Sequence, residues 1–209
     1  PIVATIAPKV LRILYPVKVL GPGDRIGIWL CGCNRACPGC SNPELWSPRP
    51  EFELSVENLC HLINQILVNH PVDGITITGG EPFQQAADLW MLISRLSNQV
   101  PDILVYSGYR LQELYDLNDP AVNSVLNNIA TLVDGAYIQE LNDNSPLRGS
   151  SNQQIHILKD EYRDMYSHYL KTTENKIQNF TTGDGVVSVG IHRPDFNKEI
   201  VESINNPKT

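Results

Sequence analysis

Four of the five cysteines in this chain of 209 residues crowd together as Cys31, Cys33, Cys37 and Cys40, and the fifth, Cys60, stands apart. Cys33, Cys37 and Cys40 form Cys-x3-Cys-x2-Cys. Three thiolates so close along one loop can ligate three corners of a cubane iron–sulfur cluster and leave its fourth iron open to another ligand. A closed carrier with four cysteine ligands offers no such opening. Gly32 and Gly39 help the backbone wrap a bulky group, because glycine tolerates close approach and positive φ. The competing chemistry is a zinc site with Cys31 or a distant histidine as fourth ligand. Zinc knuckles usually match one Cys-x2-Cys with a second pair, and the chain has no second pair. An odd, clustered set also argues against a disulfide scaffold, whose even number of cysteines spreads along the chain.

Hydrophobic periodicity shows what must position that loop. Apolar runs at Val10 to Leu20, Arg25 to Leu30, Gly74 to Thr78, Ile103 to Tyr106, Leu132 to Asp134 and Gln154 to Leu158 read as strands. Helical stripes run from Ser55, a cap residue, to about Asn69, and then over Gln84 to Ser97, Arg110 to Leu117, Ala121 to Ile129 and Lys159 to Leu170. Cys60 falls within the stripe Val56, Leu59, Cys60, Ile63, Ile66, Leu67 and reads as a small buried hydrophobe. Alternating strands and helices predict βα units on a parallel sheet, either doubly wound or a partial barrel. Ligands then gather at the carboxyl ends of the strands. The cysteine loop, Gly79-Gly80-Glu81, Ser107-Gly108 and Asp134-Gly135 all follow predicted strands, so they should share one face. Beyond Leu158 the pattern weakens: Asn175 to Asn179 reads as linker, and Gly183-Asp184-Gly185 as a turn before the apolar run Val186 to Ile191. This tail either completes the sheet or forms an appended hairpin.

Composition excludes some classes. With 42% hydrophobic and 19% charged residues the chain can bury a core, and its length suits one domain. A net charge of −7 with no Lys/Arg run speaks against nucleic acid and anionic lipid as partners. No apolar stretch is long enough to span a bilayer, and the N-terminus lacks the pattern of a secretory signal, so a cytoplasmic protein is expected.

The segment Gly-Cys-Asn-Arg-Ala-Cys-Pro-Gly-Cys-Ser-Asn-Pro-Glu (32–44), preceded by Gly-Pro-Gly-Asp-Arg (21–25), resembles the radical S-adenosylmethionine superfamily. Within it, the activating enzymes of glycyl-radical enzymes are most similar, above all those of anaerobic ribonucleotide reductase. Thr78-Gly79-Gly80-Glu81-Pro82 looks like that superfamily's Gly-Gly-Glu motif, and Asp134-Gly135 and Arg148-Gly149-Ser150-Ser151-Asn152-Gln153 resemble further segments of the same subgroup. The resemblance spans roughly residues 14–158. It implies an α/β fold, an incomplete (βα)6-type radical SAM partial barrel, with residues 1–158 as the core and 159–209 as a C-terminal extension. It implies a [4Fe–4S] cluster on Cys33, Cys37 and Cys40, whose open iron chelates S-adenosylmethionine. By the same resemblance Gly79 and Gly80 present backbone to the methionyl end with Glu81 nearby. Gly39 and Ser41 lie where the family's adenine contacts fall, Ser107 is a candidate for the ribose, and Asp134 for the cofactor or a cation. The implied activity is reductive cleavage of S-adenosylmethionine to a 5′-deoxyadenosyl radical that installs a glycyl radical on a partner, with flavodoxin or ferredoxin as electron donor.

Two features depart from the wider pattern. Many superfamily members carry an aromatic residue just before the third cysteine, where this chain has Gly39; the ribonucleotide reductase activases share that Pro-Gly. The chain is also longer than the shortest activases, and its tail carries no motif. Two other readings compete: a radical S-adenosylmethionine enzyme of a small molecule or peptide, such as a 7-carboxy-7-deazaguanine synthase-like protein, and a non-enzymatic zinc or iron–sulfur module. Among the remaining residues, Cys31, Trp29 and Trp90 read as packing. His61 and His70 read as solvated or satisfied, and Glu140 and Asp143 as a solvated loop. His156 could reach the cofactor if it faces inward, and His192 has no partner motif.

Overall fold

The computed structural model describes residues 10–48, 50–52, 54–183 and 185–196. The N-terminal segment on which the signal-peptide reading rests, and Asp184 of the expected turn, lie outside them. The strands are β1 (Val10–Val17), β2 (Arg25–Leu30), β3 (Gly74–Gly79), β4 (Ile103–Tyr106), β5 (Thr131–Asp134) and β6 (Gln154–Ile157). They form one six-stranded sheet in chain order. The pairs from β2 to β5 are parallel, whereas β1 and β6 run antiparallel on the two edges. The sequence predicted a parallel sheet and did not foresee those edges. The short Gly21-Pro22-Gly23-Asp24 turn explains one of them, since a parallel pair needs a crossover of a dozen residues or more. Because the strand order never reverses, the sheet is not doubly wound, and right-handed crossovers place their helices on one face.

That face is apolar by strict alternation. Ile26, Ile28 and Leu30 of β2, Ile75 and Ile77 of β3, Ile103 and Val105 of β4 and Leu132 of β5 point toward it. They pack against Leu59 and Ile63 of α1 (Val56–Asn69), Leu89, Leu92, Ile93 and Leu96 of α2 (Ala86–Leu96), Leu114 of α3 (Leu111–Asp116) and Val122, Val125 and Leu126 of α4 (Pro120–Asn128). Ser55 caps α1 by accepting the Asn58 amide at 3.1 Å. Cys60 is half-buried against the same cluster, as its place in the stripe suggested.

The opposite face is covered by the tail. Helix α5 (Arg163–Thr172) buries Tyr166 against Leu104, Val133 and Leu147. Strands β7 (Gln178–Thr182) and β8 (Gly185–Val189) pair with each other as a separate two-stranded sheet, so the tail appends a hairpin and does not complete the main sheet. Part of the segment expected to be linker belongs to β7. Val189 packs with Val17, Leu20, Trp29, Cys31 and Leu45, which places Cys31 and Trp29 in a core, as read from the sequence. No helix among the described residues is long and apolar enough to cross a membrane.

Candidate functional site

The cysteine loop leaves β2 at the carboxyl edge of the sheet and is held there by main-chain bonds. Gly32 N donates to Leu45 O at 2.8 Å and Cys33 N to Trp46 O at 2.9 Å. The Asn34 main-chain N–H donates to Gln84 Oε1 at 3.2 Å and Gln84 Nε2 donates back to Asn34 Oδ1, which latches the loop to the turn after Glu81. Within the loop Cys40 N donates to Cys37 O at 3.1 Å, and the Asn42 amide donates to Cys40 Sγ at 3.4 Å. The three thiols are free and partly exposed. All of them border one cleft enclosing about 1060 Å3, part of it open to solvent.

The Gly-Gly-Glu turn is pressed backbone to backbone against this loop. Gly80 N donates to Leu30 O at 2.7 Å and Glu81 N to Gly32 O at 2.9 Å. Gly79 sits at φ +106°, where side chains are strained, and its own Cβ would lie 2.6 Å from Leu30 N. The Glu81 carboxylate, 1% exposed, accepts hydrogen bonds from Phe83 N at 3.1 Å, Ser107 Oγ at 2.9 Å and Gly108 N at 2.6 Å. It ties the end of β3 to the end of β4. Ser107 borders the cleft, and its hydroxyl also accepts from Tyr109 N at 3.0 Å.

Burial pushes the Glu81 carboxyl above its ordinary value, against the pull of the Gly108 and Phe83 amides, the Ser107 hydroxyl and Arg35. A raised folded-state pKa means that the folded chain holds a proton the unfolded chain has released. This group's stabilisation is therefore full below about 4.5 and is lost as pH rises through the raised value. Glu81→Gln places an amide NH2 among donors and is expected to cost about 1–3 kcal/mol at neutral pH. Urea unfolding at stepped pH should show parent stability falling relative to Glu81→Gln above about 4.5. A difference that stays flat with pH would show that Glu81 keeps its ordinary ionisation.

Three expected positions behave differently. Gly39 borders a polar side chamber, behind the third cysteine, with Cys40, Ser41, Asn42, Tyr137 and Gln139; Ser41 borders both spaces. A Cβ on Gly39 would meet Gln139 Cδ at 2.9 Å, so Gln139 occupies the space that an aromatic residue would need. Asp134 is not brought to the cleft. It shares strand parity with Leu132 on the helix-covered face, where its carboxylate accepts from Leu111 N at 2.7 Å and Gln154 N at 3.2 Å and pairs with His156 Nε2 at 2.8 Å. His156 is opposite Leu132 in the antiparallel register and so faces outward as well. Of the weaker candidates, His61 pairs with Gln65, His70 lies against Tyr15, and Asp143 forms an ion pair with Arg148 at 2.5 Å.

Several cleft residues were not singled out by sequence reasoning. Arg35 packs over the Tyr109 ring at 4.1 Å and reaches Glu113 at 3.4 Å. Gln153 accepts from Gly149 N at 2.7 Å and Ser150 N at 3.1 Å and donates to Gly135 O at 2.7 Å, which folds the 148–153 segment into the wall. Ser188 to His192 form the wall on the hairpin side. His192 Nε2 lies 3.0 Å from Ser188 Oγ, and burial lowers the pKa of its ring.

The donor set fits an iron–sulfur group: three free thiols on one glycine-containing loop, facing a shared cleft, with an amide donating to one sulfur. Of the two alternatives for a fourth zinc ligand, Cys31 is buried in the core. Such a loop at the carboxyl edge of a parallel sheet defines an α/β iron–sulfur protein with an open-sided site. Residues 19–156 match the family described as a 4Fe-4S single cluster domain. Anaerobic ribonucleoside-triphosphate reductase-activating proteins of Salmonella typhi and of Escherichia coli (strain K12) are each 36% identical over 154 residues, covering 69% of this chain and 96% of theirs. The one of Enterobacteria phage T4 is 28% identical over 147 residues, covering 68% and 90%. The chain belongs to this 4Fe-4S family and, within it, to the anaerobic ribonucleoside-triphosphate reductase-activating proteins.

Proposed function

We propose that this chain is a radical S-adenosylmethionine activase that generates a glycyl radical on anaerobic ribonucleotide reductase. The observation that carries the reading is the convergence of Cys33, Cys37, Cys40 and the Gly79-Gly80 backbone on one open-sided cleft in a member of the activating-protein family. Cys33, Cys37 and Cys40 would hold a [4Fe–4S] cluster. When bound, that cluster supplies an open iron for S-adenosylmethionine and the electron that cleaves it to methionine and a 5′-deoxyadenosyl radical. The chain's own residues orient and exclude. Gly79 and Gly80 keep side chains out of the space beside the loop, and the Asn42 amide stabilises negative charge on Cys40. Glu81 and Ser107 fix the neighbouring wall, while Gln153 folds the 148–153 segment against the cleft and closes that side against water. The single-sided winding of β2 to β5 supports describing the sheet as the incomplete barrel of that superfamily. A flavodoxin or ferredoxin in the cytoplasm would supply the electron.

The test is anaerobic. The chain is reconstituted with iron and sulfide, reduced, and supplied with S-adenosylmethionine, and 5′-deoxyadenosine is quantified beside Cys37→Ala. Parent product with none from the variant is expected, followed by a glycine-centred paramagnetic signal on added reductase. Zinc in place of iron, with no cleavage under any reductant, would overturn the proposal.

A further inference from the structure

The β7–β8 hairpin has no place in the shared chemistry of the family, yet it builds one wall of the cleft. The family match ends at residue 156, and relatives are matched over 96% of their length by 69% of this chain, so the hairpin is an addition to them. Its strand alternates with a purpose. Val187 and Val189 pack into the core with Val17, Leu20 and Trp29, which turns Ser188 between them the other way; His192, past the end of β8 and the positive-φ Gly190, borders the cleft beside Ser188. Five consecutive residues, Ser188 to His192, border the cleft, so main chain as well as side chains forms this wall. The wall is also fixed. Gln178 clamps the hairpin to β1, accepting from Lys18 N at 2.9 Å and donating to Pro16 O at 2.8 Å. Asn142 donates to His192 O at 3.0 Å, Asn175 donates to Ile191 O at 2.7 Å, and Ser188 Oγ lies 3.0 Å from His192 Nε2.

We propose that Ser188 and His192 are specificity-determining contacts for the polypeptide segment of the reductase that enters the cleft. The inference rests on the activase reading. A pre-ordered wall of main chain and paired polar side chains suits an extended peptide, which presents hydrogen-bonding groups at every residue. Lying outside the part shared with shorter activating proteins, it selects which reductase is accepted without contributing to the cleavage chemistry.

Binding of the iron-free chain to the reductase, followed by calorimetry, gives a readout independent of turnover. His192→Ala and Ser188→Ala are each expected to weaken binding by about three- to tenfold, the worth of one or two hydrogen bonds. His192→Gln, which keeps a hydrogen-bonding group, should recover most of the affinity. In activation assays the same alanine variants should raise KM for the reductase by a similar factor with little change in kcat. Parent-like affinity in both alanine variants overturns the inference, as does a fall in kcat without a rise in KM. If His192→Ala does not fold, Ser188→Ala and His192→Gln carry the comparison. A parent chain that neither binds nor activates the reductase overturns the activase reading itself.

Discussion

Gly80→Ala is expected to lower the yield of 5′-deoxyadenosine per folded molecule by about 100-fold while the chain still takes up iron. The reason is contact between two backbones. A Cβ at this position would be driven into the Gly32 carbonyl, with the Gly32 carbonyl carbon at 2.9 Å and its nitrogen at 3.1 Å. A backbone neighbour cannot rotate away as a side chain can. The clash also falls between two hydrogen bonds, Gly80 N to Leu30 O and Glu81 N to Gly32 O, which define how the turn meets the cysteine loop. Relieving that contact moves the turn, and the cleft floor with it, by on the order of 1 Å relative to the three thiols but removes none of them. Misplacement on the scale of 1 Å is enough for a loss of about 100-fold. Overpacking should also lower stability by about 1–3 kcal/mol, readable as a reduced melting temperature. Gly183→Ala, where a new Cβ meets nothing within 4 Å, is the matched control. Parent-like cleavage by Gly80→Ala would show that the turn does not set the geometry of the site.

Much of this arrangement was legible from residue order. The cysteine spacing and the glycines after β3 are local signals, and the rule that ligands gather at strand ends brought the cysteine loop, Gly79-Gly80, Ser107 and Gly135 to one cleft. Asp134 shows where local reading stops. Being at a strand end says which edge of the sheet a residue occupies, but its face depends on parity, and Leu132 in the helix-side core sends Asp134 toward α3. His156 turns outward for the same reason. The antiparallel β1 edge depended on connection length more than on periodicity. The hairpin wall had no motif at all, and only tertiary packing of Val189 on Trp29 and Val17 brings Ser188 and His192 to the cleft. Arg25 was read as the end of the Gly-Pro-Gly-Asp-Arg segment and the start of an apolar strand, with no role assigned to its side chain, although the guanidinium at position 25 proves to be fully buried.

That burial leads to the largest stability effect expected in the chain. Asp102→Ala should destabilise the iron-free chain by about 3–5 kcal/mol, because it leaves a guanidinium in the core without its counter-charge. For a domain of this size the melting temperature should fall by about 6–20 °C. Arg25 makes five hydrogen bonds: to Thr76 Oγ1 at 2.8 Å, Asp102 Oδ2 at 2.5 Å, Pro22 O at 3.1 Å, Ile75 O at 2.8 Å and Asp102 O at 3.1 Å. Burial opposes its charge, and Tyr166 and Asp102 outweigh that, holding its pKa above the ordinary value. Tyr166 OH donates to Asp102 Oδ1 at 2.8 Å, which makes α5 part of the same network. Tyr166→Phe should therefore cost about 1.5–3 kcal/mol, the worth of a hydrogen bond to a charged group. Replacing a buried ion pair by apolar residues is often neutral. Here the double replacement Arg25→Met with Asp102→Leu would also strip the Arg25 donor from the carbonyls of Pro22 and Ile75, while the carbonyl at position 102 keeps the Ile75 N–H at 2.9 Å, so it should remain destabilised. Urea unfolding of the single and double variants measures both effects. A loss under about 1 kcal/mol in Asp102→Ala would mean that the guanidinium finds water or another acceptor. The network lies at the amino ends of the strands, opposite the cysteines, so iron uptake per folded molecule should match the parent while the fraction folded falls.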